Sequence, residues 1–146
     1  MKQIFATIIV ALLFASPAHA SIGFTCEISD KTLKFVAGGY FPGEGGGFMN
    51  FHAEGQVLAP AVPDNLRKLN LTDGLLYSWL YTGDLRMRLS KEYSTEKTRT
   101  SAELVIQTTG NDDGGDWAGT YILNIEDTDK PVATVSFTGK AVCSIG

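Results

Sequence analysis

Apolar and polar residues alternate with a period of two along most of the chain, and the 3.6-residue period of a helix is nearly absent. In residues 49–57 the odd positions carry Met, Phe, Ala, Gly and Val, and the even positions carry Asn, His, Glu and Gln. Similar alternation recurs in 24–28, 85–90, 117–125 and 133–143. Because successive side chains of a strand point to opposite faces, each segment is predicted to be a strand with one buried face. The pattern therefore predicts an all-β protein.

Short connections rich in turn-forming residues separate these segments. The run 38–47 (GGYFPGEGGG) holds six glycines and a proline, and 110–115 and 126–131 are rich in Gly, Asn, Asp and Pro. Consecutive strands with such short links form an antiparallel meander. The one helical element that we expect is a short turn, capped by Thr72-Asp73-Gly74 and running to Trp79.

Residues 1–20 have the features of an export signal. A short basic start with Lys2 precedes an apolar run from Ile4 to Phe14, and the segment ends in the small-x-small signature of Ala18 to Ala20. The apolar run is too short to span a bilayer. We therefore predict cleavage after Ala20. The product is a single β domain, residues 21–146, that is periplasmic or secreted and has no membrane anchor.

The chain has two cysteines, Cys26 and Cys143, which lie on the apolar faces of the first and last predicted strands. In an exported protein such a pair predicts a disulfide, and its spacing is unlike the C-x-x-C of redox or metal sites. The bridge would bring the two end strands together and remove exposed sheet edges. We therefore predict a single antiparallel meander closed or nearly closed into a small barrel of seven or eight strands. A β-sandwich with joined terminal strands is the alternative.

The charge of the predicted mature protein is mildly acidic. Once residues 1–20 are removed, 11 Lys and Arg stand against 16 Asp and Glu. This excess disfavours nucleic acids, which need a basic surface, and electrostatic binding to anionic lipid. It is compatible with a basic protein partner, because opposite potentials accelerate encounter. A net negative charge also keeps an exported protein soluble, which accounts for the acidic excess without a partner.

Residues suited to catalysis or metal binding are few. His52 is the only histidine of the predicted mature chain, no G-x-S-x-G motif is present, and both cysteines are assigned to the bridge. A single histidine cannot form a zinc site. Turn chemistry accounts for the three aspartates within 111–116, and calcium binding there is an open alternative. We therefore predict a protein that is not an enzyme and has no cofactor or metal.

Two aromatic segments are the candidates for binding a partner. Aromatic side chains on connections can form a contact surface, and they also anchor protein and sugar partners. Packing in the core or in the barrel end is the alternative for both segments. The candidate residues are Tyr40, Phe41 and Phe48 around the glycine-rich run, and Tyr77, Trp79, Tyr81 and Asp84 in the second segment.

The layout of the chain resembles the bacterial periplasmic and membrane-bound inhibitors of c-type lysozyme. The shared features are the aromatic-x-Cys pattern of Phe24-Thr25-Cys26, the position of Cys143 near the end of the chain, and the strand pattern between them. The resemblance implies a small exported β-barrel that binds lysozyme. The Ser-Gly-x-Tyr-type loop segment of that family has no counterpart here, so we transfer no functional residue from it.

Three functions follow from these observations. The first is an exported, non-catalytic binding module, a protein inhibitor acting through the loops at one barrel end on a basic protein such as lysozyme. The alternative is a barrel that holds a small molecule or lipid in its interior. A hydrolytic enzyme that uses His52 stands lowest.

Overall fold

The computed structural model of the chain describes residues 21–42, 47–96, 99–111, 113–127 and 133–146, so the predicted export signal lies outside the described residues. Within these ranges the backbone forms nine strands and two 3₁₀ turns, Asp64–Leu66 and Thr72–Gly74. No described helix is long and apolar enough to cross a membrane. The strands are β1 (Ile22–Ser29), β2 (Leu33–Phe41), β3 (Met49–Val57), β4 (Lys68–Asn70), β5 (Leu75–Tyr81), β6 (Asp84–Ser94), β7 (Arg99–Thr109), β8 (Gly115–Asp127) and β9 (Ala133–Ile145).

All nine strands belong to one sheet in the order β4-β3-β2-β1-β9-β8-β7-β6-β5, and every neighbouring pair is antiparallel. Each pair is consecutive in the chain except β1 and β9, which lie at opposite ends of the sequence. The sheet curls into a half-barrel around one core. The predicted all-β class, the meander and its near closure are therefore confirmed.

A disulfide joins the two terminal strands, as predicted. Cys26 and Cys143 face each other directly in the β1–β9 pair, although 117 positions separate them in the sequence. Both side chains are fully buried. The bridge therefore lies on the inner face of the barrel and holds the first and last strands side by side.

The described strands number nine, whereas seven or eight were expected, because one strand path is interrupted. β4 pairs with β3, β5 pairs with β6, and the alternation of directions around the sheet makes β4 and β5 run the same way. Residues 68–81 therefore pair with one edge of the sheet through β4 and with the other edge through β5. Together the two short strands take the place of one interrupted eighth strand.

The 3₁₀ turn Thr72–Gly74, which we call the closing turn, connects the two edges of the sheet. On one side, the Thr72 hydroxyl oxygen accepts a hydrogen bond from the Ala53 N–H of β3 at 3.1 Å. On the other side, Gly74 lies against β6, where an added Cβ would come 2.4 Å from the Ser90 carbonyl oxygen. The closing turn thus brings β3 and β6 together where no ladder joins them.

The prediction of a helical turn reaching Trp79 is wrong. Helical backbone is limited to the closing turn, and Leu75–Tyr81 forms strand β5. The reason is the two-residue hairpin that follows, in which Thr82 and Gly83 have positive φ angles of 46° and 73°. Such a hairpin has the twist that pairs β5 with β6, and this pairing outweighs the local turn signal.

Inward-facing side chains fill the space enclosed by the sheet. They come from every strand, and the largest fully buried one is Tyr121 of β8. Segment 58–67 contributes further apolar side chains to the same cluster. The fully buried aliphatic side chains include Ile28, Leu33, Leu66, Leu69, Leu71, Leu85, Met87, Leu89, Leu104, Ile106 and Leu123.

The antiparallel order sorts the connections between two ends of the barrel. One end, which we call the rim end, carries the β2–β3, β5–β6 and β7–β8 connections. β1 starts and β9 finishes at the same end, where the backbones of Gly23 and Gly146 exchange two hydrogen bonds of 3.2 and 3.0 Å. The opposite end carries the β1–β2, β3–β4, β6–β7 and β8–β9 connections.

Candidate functional site

Both aromatic segments predicted to bind a partner lie toward the rim end. Tyr40, Phe41 and Phe48 flank the β2–β3 connection, and Tyr81 and Asp84 flank the β5–β6 hairpin. Tyr77 and Trp79 lie further along β5. Residues 49–76 separate the two segments in the sequence, and the alternating strand directions bring them to one end.

Phe41 and Phe48 pack inward instead of forming an open contact surface. The Phe48 ring centroid lies 4.2 Å from that of buried Phe24 and 5.9 Å from that of Phe51. Phe41 meets Phe48 edge-on at 6.1 Å. These rings cover the inner core where the β2–β3 connection begins and ends, which corresponds to the packing alternative of the sequence analysis.

Tyr40 is the exposed member of the first segment, with 48% of its surface accessible. It faces Gly23 across the β1–β2 ladder, and a Cβ on Gly23 would lie 3.7 Å from the tyrosine ring. The tyrosine ring therefore lies over the backbone of Gly23, and its outer face is exposed to solvent. A depression of about 480 Å³ adjoins it and is also lined by His52 and Ser144.

The second segment forms an exposed aromatic row on β5. Tyr77, Trp79 and Tyr81 alternate along the outward face with accessible fractions of 50%, 46% and 70%. The Trp79 and Tyr81 ring centroids are 6.0 Å apart. Leu76 adds to the exposed apolar surface because a register shift between Leu75 and Tyr77 interrupts the alternation.

Two ion pairs on the outer face border this aromatic row. Arg86 pairs with Asp84 at 2.7 Å, and Arg88 pairs with Glu103 of β7 at 2.6 Å. The hydrogen bond and charge of Asp84 raise the pKa of Arg86 above its ordinary value. Trp79 lies directly opposite Arg86 in the β5–β6 ladder. The surface beside the aromatic row is therefore electrically neutral.

The β7–β8 connection is anchored to the barrel. The buried Trp117 indole N–H donates to the Asn111 carbonyl oxygen at 3.2 Å, and the ring covers Gly110 so closely that a Cβ there would lie 2.1 Å away. The Ser144 hydroxyl of β9 donates to the Asp116 carboxylate at 2.6 Å. Asp113 is exposed beside them. The Asp116 carboxylate is thus held at the rim end, and exposed Asp113 lies three residues before it in the chain.

The segments of the sequence that lead into the rim end are rich in acidic residues. The connections and strand ends assigned to it (21–25, 39–50, 80–85, 108–117 and 143–146) contain five acidic residues and no Lys or Arg, although Asp84 is paired with the adjoining Arg86, and Glu44 and Asp112 lie outside the described residues. The remainder of 21–146 holds 11 acidic and 11 basic residues, so it is balanced.

We call the described part of this surface the acidic rim: Tyr40, Tyr81, Asp84, Asp113 and Asp116. Among the described residues, no ion pair involves Asp113 or Asp116. Sequence reasoning interpreted 111–116 as a turn and missed its place in this surface. The signal in the sequence was the absence of Lys and Arg from 39–50 and 108–117, the two longest segments that lead into this end.

Among the described residues, no arrangement supports the alternatives of catalysis by His52 or of metal binding. The His52 ring lies over Gly38, where an added Cβ would be 2.8 Å from the imidazole carbon Cε1. Both sulfurs are in the disulfide. Within the described ranges, which leave out Asp112, no group of three His, Cys, Asp or Glu residues is arranged to hold a metal ion.

Comparisons of the chain with protein-family models, with curated proteins and with solved structures found no match. The interpretation of the acidic rim therefore relies on its own geometry and charge.

Proposed function

We propose that this protein is an exported, non-catalytic binding module whose acidic rim binds a basic protein, with c-type lysozyme as the first candidate partner. The observation that carries the proposal is the presence of Asp113 and Asp116, neither in an ion pair among the described residues, at the end of the barrel where Tyr40 and Tyr81 are exposed. These two carboxylates give this end of the barrel a local negative charge, whereas Asp84 beside them is neutralised by Arg86.

The arrangement fits binding in two steps, electrostatic steering of the partner toward the acidic rim and then direct contact with its exposed side chains. A one-sided negative potential accelerates encounter with a positive partner and orients it toward the rim. Exposed tyrosines then supply apolar area at low entropic cost, because each has only two rotatable side-chain torsions. The Asp116 carboxylate is held by Ser144 next to the anchored Trp117, so little ordering of this group is needed on binding.

Lysozyme is the first candidate because of the resemblance carried by Phe24-Thr25-Cys26 and Cys143. A half-barrel whose terminal strands are joined by Cys26–Cys143 agrees with the architecture that this resemblance implies. The mechanism would be steric, with the acidic rim covering the substrate cleft of the enzyme. Inhibition would then follow from occupancy and would need no chemical step.

A binding titration of residues 21–146 against c-type lysozyme tests the proposal. The matched variants are D113N/D116N at the rim and E96Q/E126Q at the opposite end, which remove the same charge. We expect the rim variant to weaken binding by roughly tenfold or more, and the control to change it less than twofold, because exposed charges act over about one Debye length. Raising the salt concentration should weaken wild-type binding.

Cytochrome c, a basic protein of similar size, separates specific recognition from general attraction to positive charge. Specific recognition predicts tighter binding to lysozyme than to cytochrome c, with loss of lysozyme activity at equimolar protein. Equal affinity for both, or full lysozyme activity at a large molar excess, refutes lysozyme as the partner. Equal weakening by the rim and control variants refutes the acidic rim as the site.

The inward strand faces leave less room for the alternative of a ligand-holding interior than the glycines in the sequence suggest. The glycines that leave room on the inward strand faces are already covered by neighbours. An added Cβ on Gly139 would lie 2.4 Å from an Asp30 carboxylate oxygen, and one on Gly119 would lie 1.9 Å from the Gln107 carbonyl. At Gly55 the corresponding distance to the Lys34 carbonyl is 2.3 Å.

A further inference from the structure

We propose that the free edge of β5 pairs with β5 of a second copy of this chain, so that the protein forms a two-fold symmetric dimer through a continuous sheet. This inference goes beyond the proposed function, because it uses a different surface from Asp113 and Asp116. It assigns a role to Leu76, Tyr77 and Trp79, which the acidic rim does not include.

The outer edge of β5 offers unpaired backbone groups. β5 is the last strand of the sheet, and on its other side it pairs with β6. In a two-residue hairpin the flanking residues, here Tyr81 and Asp84, form a hydrogen-bonded pair, and such pairs then alternate along the ladder. The N–H and C=O groups of Ser78 and Leu80 therefore point away from β6. They are positioned to bond to an added strand.

The β5 edge lacks the features that normally prevent edge-to-edge association. Natural edge strands are usually short, carry Lys or Pro, or contain charged side chains. β5 is seven residues long, and its sequence LLYSWLY contains no charged residue and no proline. The other sheet edge, β4, is only three residues long and begins with Lys68. The contrast indicates that β5 is covered in the working molecule.

The exposed side chains of β5 supply enough area for a modest dimer. At roughly 200 Å² per aromatic side chain, the exposed parts of Tyr77 and Trp79 amount to about 200 Å² per copy. Leu76, which is 63% exposed, and the strand backbone add to this. Because outer-face side chains stay partly exposed when two sheets join edge to edge, two copies would together remove less than about 1,000 Å² from water, which is the range of weak, transient interfaces.

The charges around β5 favour a second copy over a basic partner at this surface. The two arginines beside β5 are already paired with Asp84 and Glu103, so the face is neutral. Two identical neutral faces can approach each other, whereas two acidic rims repel. An isologous contact of this kind closes after two subunits and does not propagate.

Full overlap of two antiparallel β5 strands defines the register. It places Ser78 on the two-fold axis, with Ser78 opposite its own copy and Tyr77 opposite Trp79 of the second copy. Directly opposed aromatic side chains on one face of a ladder stabilise the pairing. Antiparallel pairing also points the two acidic rims in opposite directions, so the dimer would bind two partners at once.

Sedimentation equilibrium of residues 21–146, from about 1 to several hundred micromolar, tests the inference. We expect a weak dimer that dissociates within this concentration range. S78P removes a backbone donor that points away from β6, and W79K places a like charge near its own copy. Each should weaken the dimer at least thirtyfold, as loss of a central interface residue does.

The matched control is I122K, which makes the same apolar-to-lysine change at an exposed site on an interior strand. Circular dichroism and thermal unfolding of every variant show whether it folds, and W79K serves if S78P does not. A monomer at all concentrations refutes the inference, as does equal dissociation of the dimer by I122K. If the wild type is monomeric and W79K abolishes lysozyme binding, the dimer is refuted. The β5 edge is then part of the surface that binds lysozyme.

Discussion

The hydroxyl of Tyr121 donates a hydrogen bond of 2.8 Å to the Asp30 carboxylate. Tyr121 is a fully buried residue of β8, and Asp30 lies in the β1–β2 turn. The other oxygen of Asp30 accepts the backbone N–H groups of Thr32 and Leu33 at 2.7 and 2.9 Å. One carboxylate therefore shapes a hairpin turn and ties it to a strand 91 residues away.

Removing the tyrosine hydroxyl should destabilise the protein. Tyr121→Phe keeps the ring but takes away one of the hydrogen bonds to a charged, partly buried carboxylate, at a cost of about 1–3 kcal/mol. Urea denaturation followed by circular dichroism measures the change. The matched control is Tyr81→Phe, where the hydroxyl is on a highly exposed side chain. Equal stability of the two variants would contradict a role for the Tyr121–Asp30 bond.

The same carboxylate should give stability that depends on pH. Burial by itself would raise the pKa of Asp30, but the hydrogen bonds from Leu33, Thr32 and Tyr121 outweigh it and lower that pKa below 3.8. A lowered folded-state pKa means that the contribution is complete above the unfolded value. It is lost as the pH falls through the lower, folded value.

Denaturation of the wild type and of Asp30→Asn across pH 2 to 7 measures this contribution. We expect the wild type to be more stable than the variant near neutral pH, with a difference that narrows below about pH 4 as the carboxylate becomes protonated. The difference in unfolding free energy between the wild type and the variant should narrow only in this acidic range. A difference that stays constant from pH 7 to pH 2 would show that the charge of Asp30 is irrelevant.

Loss of the disulfide should be the most damaging change to the fold. The bridge closes a loop of 117 residues, for which the chain-entropy model gives about 4–5 kcal/mol. Cys26→Ala/Cys143→Ala should therefore lower the urea midpoint strongly or leave the chain unfolded at 37 °C. Denaturation of the oxidised wild type in parallel provides the reference. A midpoint unchanged by the double substitution would mean that the β1–β9 ladder holds without the covalent link.

Thr82 should be replaceable with a gain in stability. It adopts a φ of 46° at the first central position of the β5–β6 hairpin, where a β-branched side chain is disfavoured. Asn tolerates this conformation and precedes Gly in the commonest turns of this type. Thr82→Asn should stabilise the protein by about 0.5–1 kcal/mol. Thermal unfolding should show a higher midpoint, and a lower midpoint would exclude the expected turn strain.

Period-two alternation was enough to predict the class, the meander and the disulfide, because these depend on local pattern and on one pair of cysteines. The β5 strand was missed because Thr72-Asp73-Gly74 signals a helix start locally. Only the pairing with β6 overrides that signal. The interrupted path of 68–81 has no local signature, since it depends on contacts with β3 and β6 at once.

The candidate site was predictable in composition but not in arrangement. The aromatic character of Tyr40, Phe41 and Phe48 is evident in the sequence, but packing against Phe24 turns two of them inward. The strand order decides that Asp113 and Asp84 share an end. A pattern along one strand carries no information about which distant connection lies beside it.

The hydrogen-bonded approach of Gly23 and Gly146 has a practical consequence for handling the protein. Anything fused at residue 21 or after Gly146 would stand next to the surface proposed to receive lysozyme, so a purification tag or an immobilising linker there would compete with the partner. A short linker from 146 to 21, with new ends opened in the β6–β7 connection, would move both attachment points to the far side of the barrel. Such a circular permutant would leave the acidic rim unobstructed in a binding titration.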